Sequence, residues 1–268
     1  AAVCRTGSGA GACFCDISTG EVSATAFSGR DWQEHLFNEL GRFAPREAVL
    51  DTAAWEDVEL REFLRLRLDC RCELGREEDF APDRAMETAR KQFRTGLEDL
   101  PGEAEAAVRA CGGLLIYLYE TQKTDLSHLT AFRYYTGGEF MELDLTARRN
   151  LELTETMRAK EKKGSLLWVL DKTRTAMGHR LIRSWMERPL LSPVQVNKRL
   201  DAVEDLVGDA IARQEIAECL REVTDLERLI GRIVYGTAGA RDLVALSGGL
   251  GKLPRLRALL APFRSSLL

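Results

Sequence analysis

The apolar pattern changes its period part-way along the chain, and this constrains the fold more than any single motif does. Near the N-terminus the pattern has the two-residue period of strands, predicting strands over residues 2–5, 11–17 and 22–27, separated by Gly7-Ser8-Gly9 and Ser18-Thr19-Gly20. In the second strand Cys13, Cys15 and Ile17 share one face, with Ala12, Phe14 and Asp16 on the other. Apolar groups on both faces predict a central strand. Beyond His128 the strand signal fades, apart from a short stretch over 140–143, and the apolar residues recur at helical spacing.

Between these regimes the signals are mixed. Trp32, Leu36 and Leu40 predict a helix over about 31–40, and residues 47–50 read as a short strand. Residues 57–83 are charged and show no readable period. A helix is expected over 97–122, opened by Pro101-Gly102, with Glu103 and Glu105 at its positive end and Val108, Cys111, Leu115 and Leu118 as its stripe. Further on, Ser192-Pro193 with Gln195 predicts a capping box leading into a stripe of Val196, Leu200, Val203 and Val207. Thr224 with Glu227 repeats that capping pattern, worth ~1 kcal/mol at the cap, before Leu226, Leu229, Ile230, Ile233 and Val234, with Gly236 as the stop. A last helix carries Leu243, Leu246, Leu250 and Leu253, weakened by Gly248, Gly249 and Gly251. The fold class expected is therefore α+β overall: a mixed α/β domain over residues 1–124, then an all-α domain over 125–268.

A chain of 268 residues suits two domains, and 45% hydrophobic with 30% charged residues excludes disordered and collagen-like classes. The formal charge of -4 gives no general attraction to phosphate. The longest apolar run, 114–118, is too short to span a bilayer, so no membrane association and a cytoplasmic setting are expected. Seven cysteines suit free thiols in a reducing compartment, and the one-residue spacings Cys13/Cys15 and Cys70/Cys72 are unlike those of zinc sites. A start at Ala1 on what reads as a strand under way suggests a segment of a longer protein.

Few residues point to chemistry. Gly7, Gly9 and Gly11 lack the nucleotide-loop spacing, and in Gly248-Gly249-Leu250-Gly251-Lys252-Leu253 a leucine stands where a phosphate loop needs Ser or Thr. Asp16 and Glu21, at the ends of adjacent strands and with Glu47 and Asp51 as further candidates, leave open a metal-dependent nuclease of the RNase H type. His35, His128 and His179 share no ligand spacing, and Lys160, Lys162 and Lys163 form only a short basic cluster.

Residues 146–153, Thr-Ala-Arg-Arg-Asn-Leu-Glu-Leu, resemble a signature of the MutS DNA mismatch-repair family. The stretch from Gly164 to Leu181, carrying Gly164, Leu167, Leu170, Asp171, Thr173, Thr175, Met177, Gly178 and Arg180, is similar to a second one, and Trp185, Pro189-Leu190 and residues 225–238 continue it. Met177, Leu181 and Trp185 lie one turn apart, so the segment reads as a packing motif, with Gly178 admitting a neighbouring backbone. Upstream, Cys13 to Glu21, with Asp16, Ser18, Thr19, Gly20 and Glu21 as its turn, resembles the strand-turn-strand of the family's connector domain. The resemblance implies an RNase H-like connector (domain II) followed by part of a helical core or lever (domain III). It also implies no catalytic, metal or cofactor site in this segment. ATP and magnesium would belong to an ATPase domain beyond Leu268, and a mismatch-reading domain would precede Ala1. Its implied partners are the other domains of the same chain, a MutL-type protein at the connector, and mismatched DNA through the full-length dimer. The implied role is allosteric relay.

Overall fold

The computed structural model of the chain describes residues 1–122, 126–138 and 140–268. They form two compact units, Ala1–Thr136 and Gly137–Leu268. The boundary expected near residue 125 falls at 123–125, outside the described residues. The first unit runs on past it because Phe132–Tyr134 joins its sheet.

That sheet is built from β1 (Ala2–Thr6), β2 (Gly9–Asp16), β3 (Glu21–Ser28), β4 (Glu47–Leu50), β5 (Arg71–Leu74) and β6 (Phe132–Tyr134), in the order β5-β4-β1-β2-β3-β6. β1, β2 and β3 form an antiparallel meander, β4 and β5 run parallel to β1, and β6 runs parallel to β3. The five strands other than β6 have the order and directions expected of an RNase H-like sheet. β2 lies inside it, as its two apolar faces require.

The alternation along β2 sorts the helices. Phe14 stacks on Phe43 of helix α1 (Trp32–Phe43), with ring centroids 3.8 Å apart, and Leu36 and Leu40 of that helix are fully buried. On the opposite face Cys13 is wholly buried. Short helices α2 (Thr52–Glu56) and α3 (Val58–Glu62) follow, capped by Asp51 and Asp57, whose carboxylates accept from Ala54 N and Leu60 N. A π-helical turn over Phe63–Arg67 leads on to β5. Helix α4 (Pro82–Gln92) was not predicted from the sequence: its buried side chains, Ala85 and Ala89, are too small to make a hydrophobic stripe.

Helix α5 (Glu105–Gln122) is shorter than expected, entering through a 3-10 turn at Gly102–Ala104. Residues 97–101 stay extended or turned, since a residue before proline avoids the helical region and Asp99 has φ +54°. Val108, Cys111, Leu115 and Leu118 are all buried, and so is most of the helix's first two-thirds. The helix approaches the sheet so closely that a Cβ on Gly11 would lie 2.0 Å from the Ala106 carbonyl.

The second unit contains α6 (Leu145–Asn150), α7 (Leu166–Leu170), α8 (Ala176–Glu187), α9 (Pro193–Gly208), α10 (Ala210–Arg221), α11 (Leu226–Val234), α12 (Ala240–Leu250) and α13 (Leu253–Leu260). Over 140–143 there is only a bridge, Phe140 opposite Leu190. Three other expectations change. Ser192 precedes α9 without a side-chain cap bond. The cap of α11 is Asp225, not Thr224, whose hydroxyl donates instead to the Ala245 carbonyl at 3.1 Å. The expected last helix breaks at Gly251-Lys252, leaving Leu253 to begin α13.

The core of this unit is thin. Leu153, Leu167, Ala202, Ile216, Cys219, Val223 and Leu229 are buried, whereas of the expected buried stripe of α9 only Val196 is half-buried, and Leu200, Val203 and Val207 are more than half exposed. Among the described residues no helix is long and apolar enough to cross a membrane.

Gly11→Ala is expected to lower stability by about 1–3 kcal/mol or more, because a methyl must displace helix backbone rather than a flexible side chain. Gly7→Ala, where a Cβ meets nothing within 4 Å, serves as the control. Urea unfolding should show an earlier midpoint for the first variant and no shift for the second.

Candidate functional site

In the first unit the candidate residues sit in the β2–β3 turn. Asp16 and Glu21 are the last paired residues of that hairpin. The Asp16 carboxylate accepts from the Ser18 amide at 2.8 Å and the Ser18 hydroxyl at 2.7 Å, and its carbonyl accepts from the amides of Thr19 and Gly20. Gly20 closes the turn at φ +80°, against the His128 carbonyl. A ring nitrogen of His128 contacts the Ile17 carbonyl at 2.8 Å, fastening the turn from outside.

Of the further carboxylates proposed for a nuclease, Glu47 is exposed on β4, separated from β2 by β1. Asp51 lies at the opposite end of the sheet, where it accepts from the amides of Arg5 and Ala54. Its neighbour across the sheet is Val3, whereas Asp16 lies beyond Cys13, the partner of Ala2. Among the described residues no three His, Cys, Asp or Glu side chains are grouped to hold a metal ion. The nuclease reading has no geometric support.

In the second unit the quoted segments come together. The amides of Leu166 and Leu167 donate to the carbonyls of Glu152 and Leu153 at 3.0 and 2.8 Å, tying residues 146–153 to the start of α7. Gly164 precedes α7 at φ +97°. Ser165, wholly buried, caps the helix: its Oγ accepts from Trp168 N and donates to the Lys162 carbonyl. Leu167 is buried beneath it and Leu170 is half exposed.

Asp171 ends α7 and organises the next turn. Its carboxylate accepts from the Thr173 hydroxyl at 2.6 Å, the Thr173 amide at 3.2 Å and Lys162 Nζ at 3.2 Å, and it pairs with His179 Nδ1. The Thr173 hydroxyl first, then Lys162 and His179, hold this carboxyl well below the usual range, against the opposing effect of burial. Thr175 then caps α8, its Oγ1 accepting from Gly178 N at 2.9 Å. A Cβ on Gly178 would lie 3.0 Å from that oxygen and 3.3 Å from Thr173, so this glycine makes room for the capping turn and not for a neighbouring helix.

From α8, Arg180 reaches the start of α11. Its two terminal nitrogens donate to the two Asp225 oxygens at 2.8 and 2.7 Å, and Nη2 also meets Glu227 at 2.5 Å. Asp225 is at the same time the cap of α11. This fork raises the Arg180 pKa and lowers that of Asp225. The expected apolar lock is different: Leu181 and Trp185 are exposed, and Trp185 lies under the Arg199 guanidinium, 3.6 Å from its ring centroid. Met177 is half-buried.

Family models match along nearly the whole chain: MutS domain II over residues 1–130 and MutS domain III over residues 146–268. A DNA mismatch repair protein MutS from Ruminiclostridium cellulolyticum is 40% identical over 263 residues, 98% of this chain. Those from Brevibacillus brevis and Symbiobacterium thermophilum are 42% and 39% identical over 92% and 100% of it. The chain belongs to the MutS family. It spans about 30% of the length of these MutS relatives, at 30%, 27% and 31% respectively.

Within this MutS segment, sequence reasoning named Arg180 and Asp171 but missed three of their partners: Lys162, read as part of a basic cluster, His179, read as an ordinary helix position, and Asp225, read as lying inside a capping box. The signal was available. Asp225 and Glu227 both stand at the start of a predicted helix, where one acidic side chain suffices for a cap.

Two outcomes follow. Arg180→Ala should cost about 1–2 kcal/mol, a charge-assisted hydrogen-bond value reduced for partial exposure. Arg180→Lys should recover only part, since an ammonium cannot fork; denaturant midpoints measure both. The second concerns pH. Asp171 and Asp225 have native carboxyls below the unfolded value of about 3.9. Their contribution is therefore complete above that value and is lost as pH falls through the native values. Stability should fall as the pH is lowered below about 4, and Asp171→Asn should flatten that fall.

Proposed function

We propose that this chain is the connector and helical core of a DNA mismatch-repair protein, joining an ATP-hydrolysing part to a mismatch-binding part without a catalytic site of its own. The observation that carries this reading is the Arg180–Asp225–Glu227 fork, which fastens α8 to the capped end of α11 through side chains alone. A tie of this kind breaks and reforms without unfolding either helix, so it suits an element with two arrangements. The names of the relatives, DNA mismatch repair protein MutS, supply the reaction being coupled.

In this reading ATP and magnesium are bound elsewhere in the intact protein, and the connector unit offers its exposed surface to a MutL-type partner. Mismatched duplex is engaged by the full-length dimer, in the cytoplasm. Asp16 and the residues of its turn hold the connector hairpin rigid and take no part in catalysis.

The test uses the intact protein that carries this chain. Arg180→Ala should leave basal ATP hydrolysis in place while the stimulation by mismatched duplex falls roughly five-fold or more, the size of a coupling energy of about 1–3 kcal/mol. Unchanged stimulation would remove the relay. In parallel, the chain alone should show no magnesium-dependent ATP turnover, and measurable turnover would place a catalytic site within it.

A further inference from the structure

The basic stretch Lys160, Lys162 and Lys163 has no part in the tie between α8 and α11, yet its middle member is precisely placed. Lys162 Nζ lies 3.4 Å from His179 Nε2 and 3.2 Å from the Asp171 carboxylate, and His179 Nδ1 pairs with that same carboxylate. Each member of the trio is fixed by its own surroundings. The Lys162 carbonyl accepts from the Ser165 hydroxyl at 2.8 Å and from the Ser165 amide at 3.1 Å. Thr173 holds Asp171 through its hydroxyl and amide. His179 sits in the first turn of α8, its amide donating to the Thr175 carbonyl at 3.0 Å.

The hydrogen-bond roles follow from chemistry. A carboxylate only accepts, so in the neutral imidazole the Asp171 contact puts the proton on Nδ1 and turns the lone pair of Nε2 toward Lys162. A carboxylate thus holds an imidazole as base toward a nucleophile, with an amine where a hydroxyl or thiol more often stands. Asp171 pairs with the ammonium before proton transfer and with the imidazolium after it, so an ion pair is kept throughout. The trio is open to reagents: the Lys162 and His179 side chains are 49% and 37% exposed, whereas Asp171 is only 12% exposed. Lys160 and Lys163 are exposed as well, and among the described residues their side chains make no hydrogen bond or ion pair. They leave two uncompensated cations beside Lys162 for an anionic reagent.

We propose that Lys162 is a modification site that takes an acyl group directly from an acyl phosphate, with His179 Nε2 as the base and Asp171 holding the imidazole. The ammonium first loses one proton to solvent. The amine lone pair then attacks the acyl carbon, and a C–N bond forms while the C–O bond to phosphorus breaks. The second proton on the attacking nitrogen passes to His179 Nε2 and from there to water, and inorganic phosphate leaves with the electron pair of the broken bond. No oxidant, reductant or further reactant is needed. The amide that results carries no charge, so acylation removes the Lys162–Asp171 ion pair at the turn between α7 and α8.

The experiment treats the intact protein that carries this chain with acetyl phosphate and reads the initial acetylation rate of each lysine by peptide mass spectrometry. Lys162 should react at least about five-fold faster than Lys160 and Lys163, a modest share of what a placed base can contribute. His179→Ala should bring Lys162 down to the rate of its two neighbours. Below about pH 6.5, where imidazole protonates, the Lys162 rate should fall more steeply with pH than theirs. Urea should abolish the difference in the unsubstituted protein, a readout independent of whether the variant folds. Equal rates at the three lysines, an advantage that survives His179→Ala or urea, or parallel pH profiles would each overturn the proposal.

Discussion

The close approach of α5 to the sheet sets the geometry of the first unit. Gly11 on β2 meets the Ala106 carbonyl with no room for a methyl group, and a Cβ on Gly112 would fall 2.4 Å from the Ala85 backbone of α4. Small residues on three elements thus let one helix touch the sheet on one side and a second helix on the other. The larger side chains fill what remains: Val108, Leu115 and Leu118 from α5, and on the far face of the sheet Phe14 against Phe43. Packing at this density transmits displacement and does not absorb it, which suits a domain proposed to join other parts.

The second unit is organised differently. Helices α6, α7, α8, α10 and α11 begin on oxygen-bearing side chains: Asp144, Ser165, Thr175, Asp209 and Asp225 each accept from the amide three residues on. Asp205 accepts from two successive amides, of Arg264 and Ser265, bringing the C-terminal residues to α9. With a thin core, these directional bonds carry a larger share of the specificity. Each is individually modest in partly exposed surroundings, so the arrangement tolerates rearrangement better than a close-packed sheet does.

Much of the first unit was legible because strands with alternating faces and a strongly apolar helix leave a clear period. The meander, α1 and β4 were read from it nearly at their observed bounds. What was not legible has physical causes. α4 buries only alanines and so shows no stripe, and β6, three residues long, is too short for a period to register. The stripe on α9 was read as buried because periodicity reports which face is apolar, not whether anything covers it. At the site, Asp171, Thr175 and Arg180 stood out from their motif, whereas their partners Lys162, His179 and Asp225 lie nine, eight and 45 residues from the atoms they meet.

The amino-acid sequence by itself determined the fold class, the order of the two domains and the family, since these depend on periodicity and motif, which are local properties of the chain. The tertiary structure alone decided that the Asp16 carboxylate bonds within its own turn, that Gly178 serves a cap, and that Arg180 joins α8 to α11. These outcomes depend on distances between residues far apart in the chain or on which of several local hydrogen bonds forms, and no spacing along the sequence encodes either.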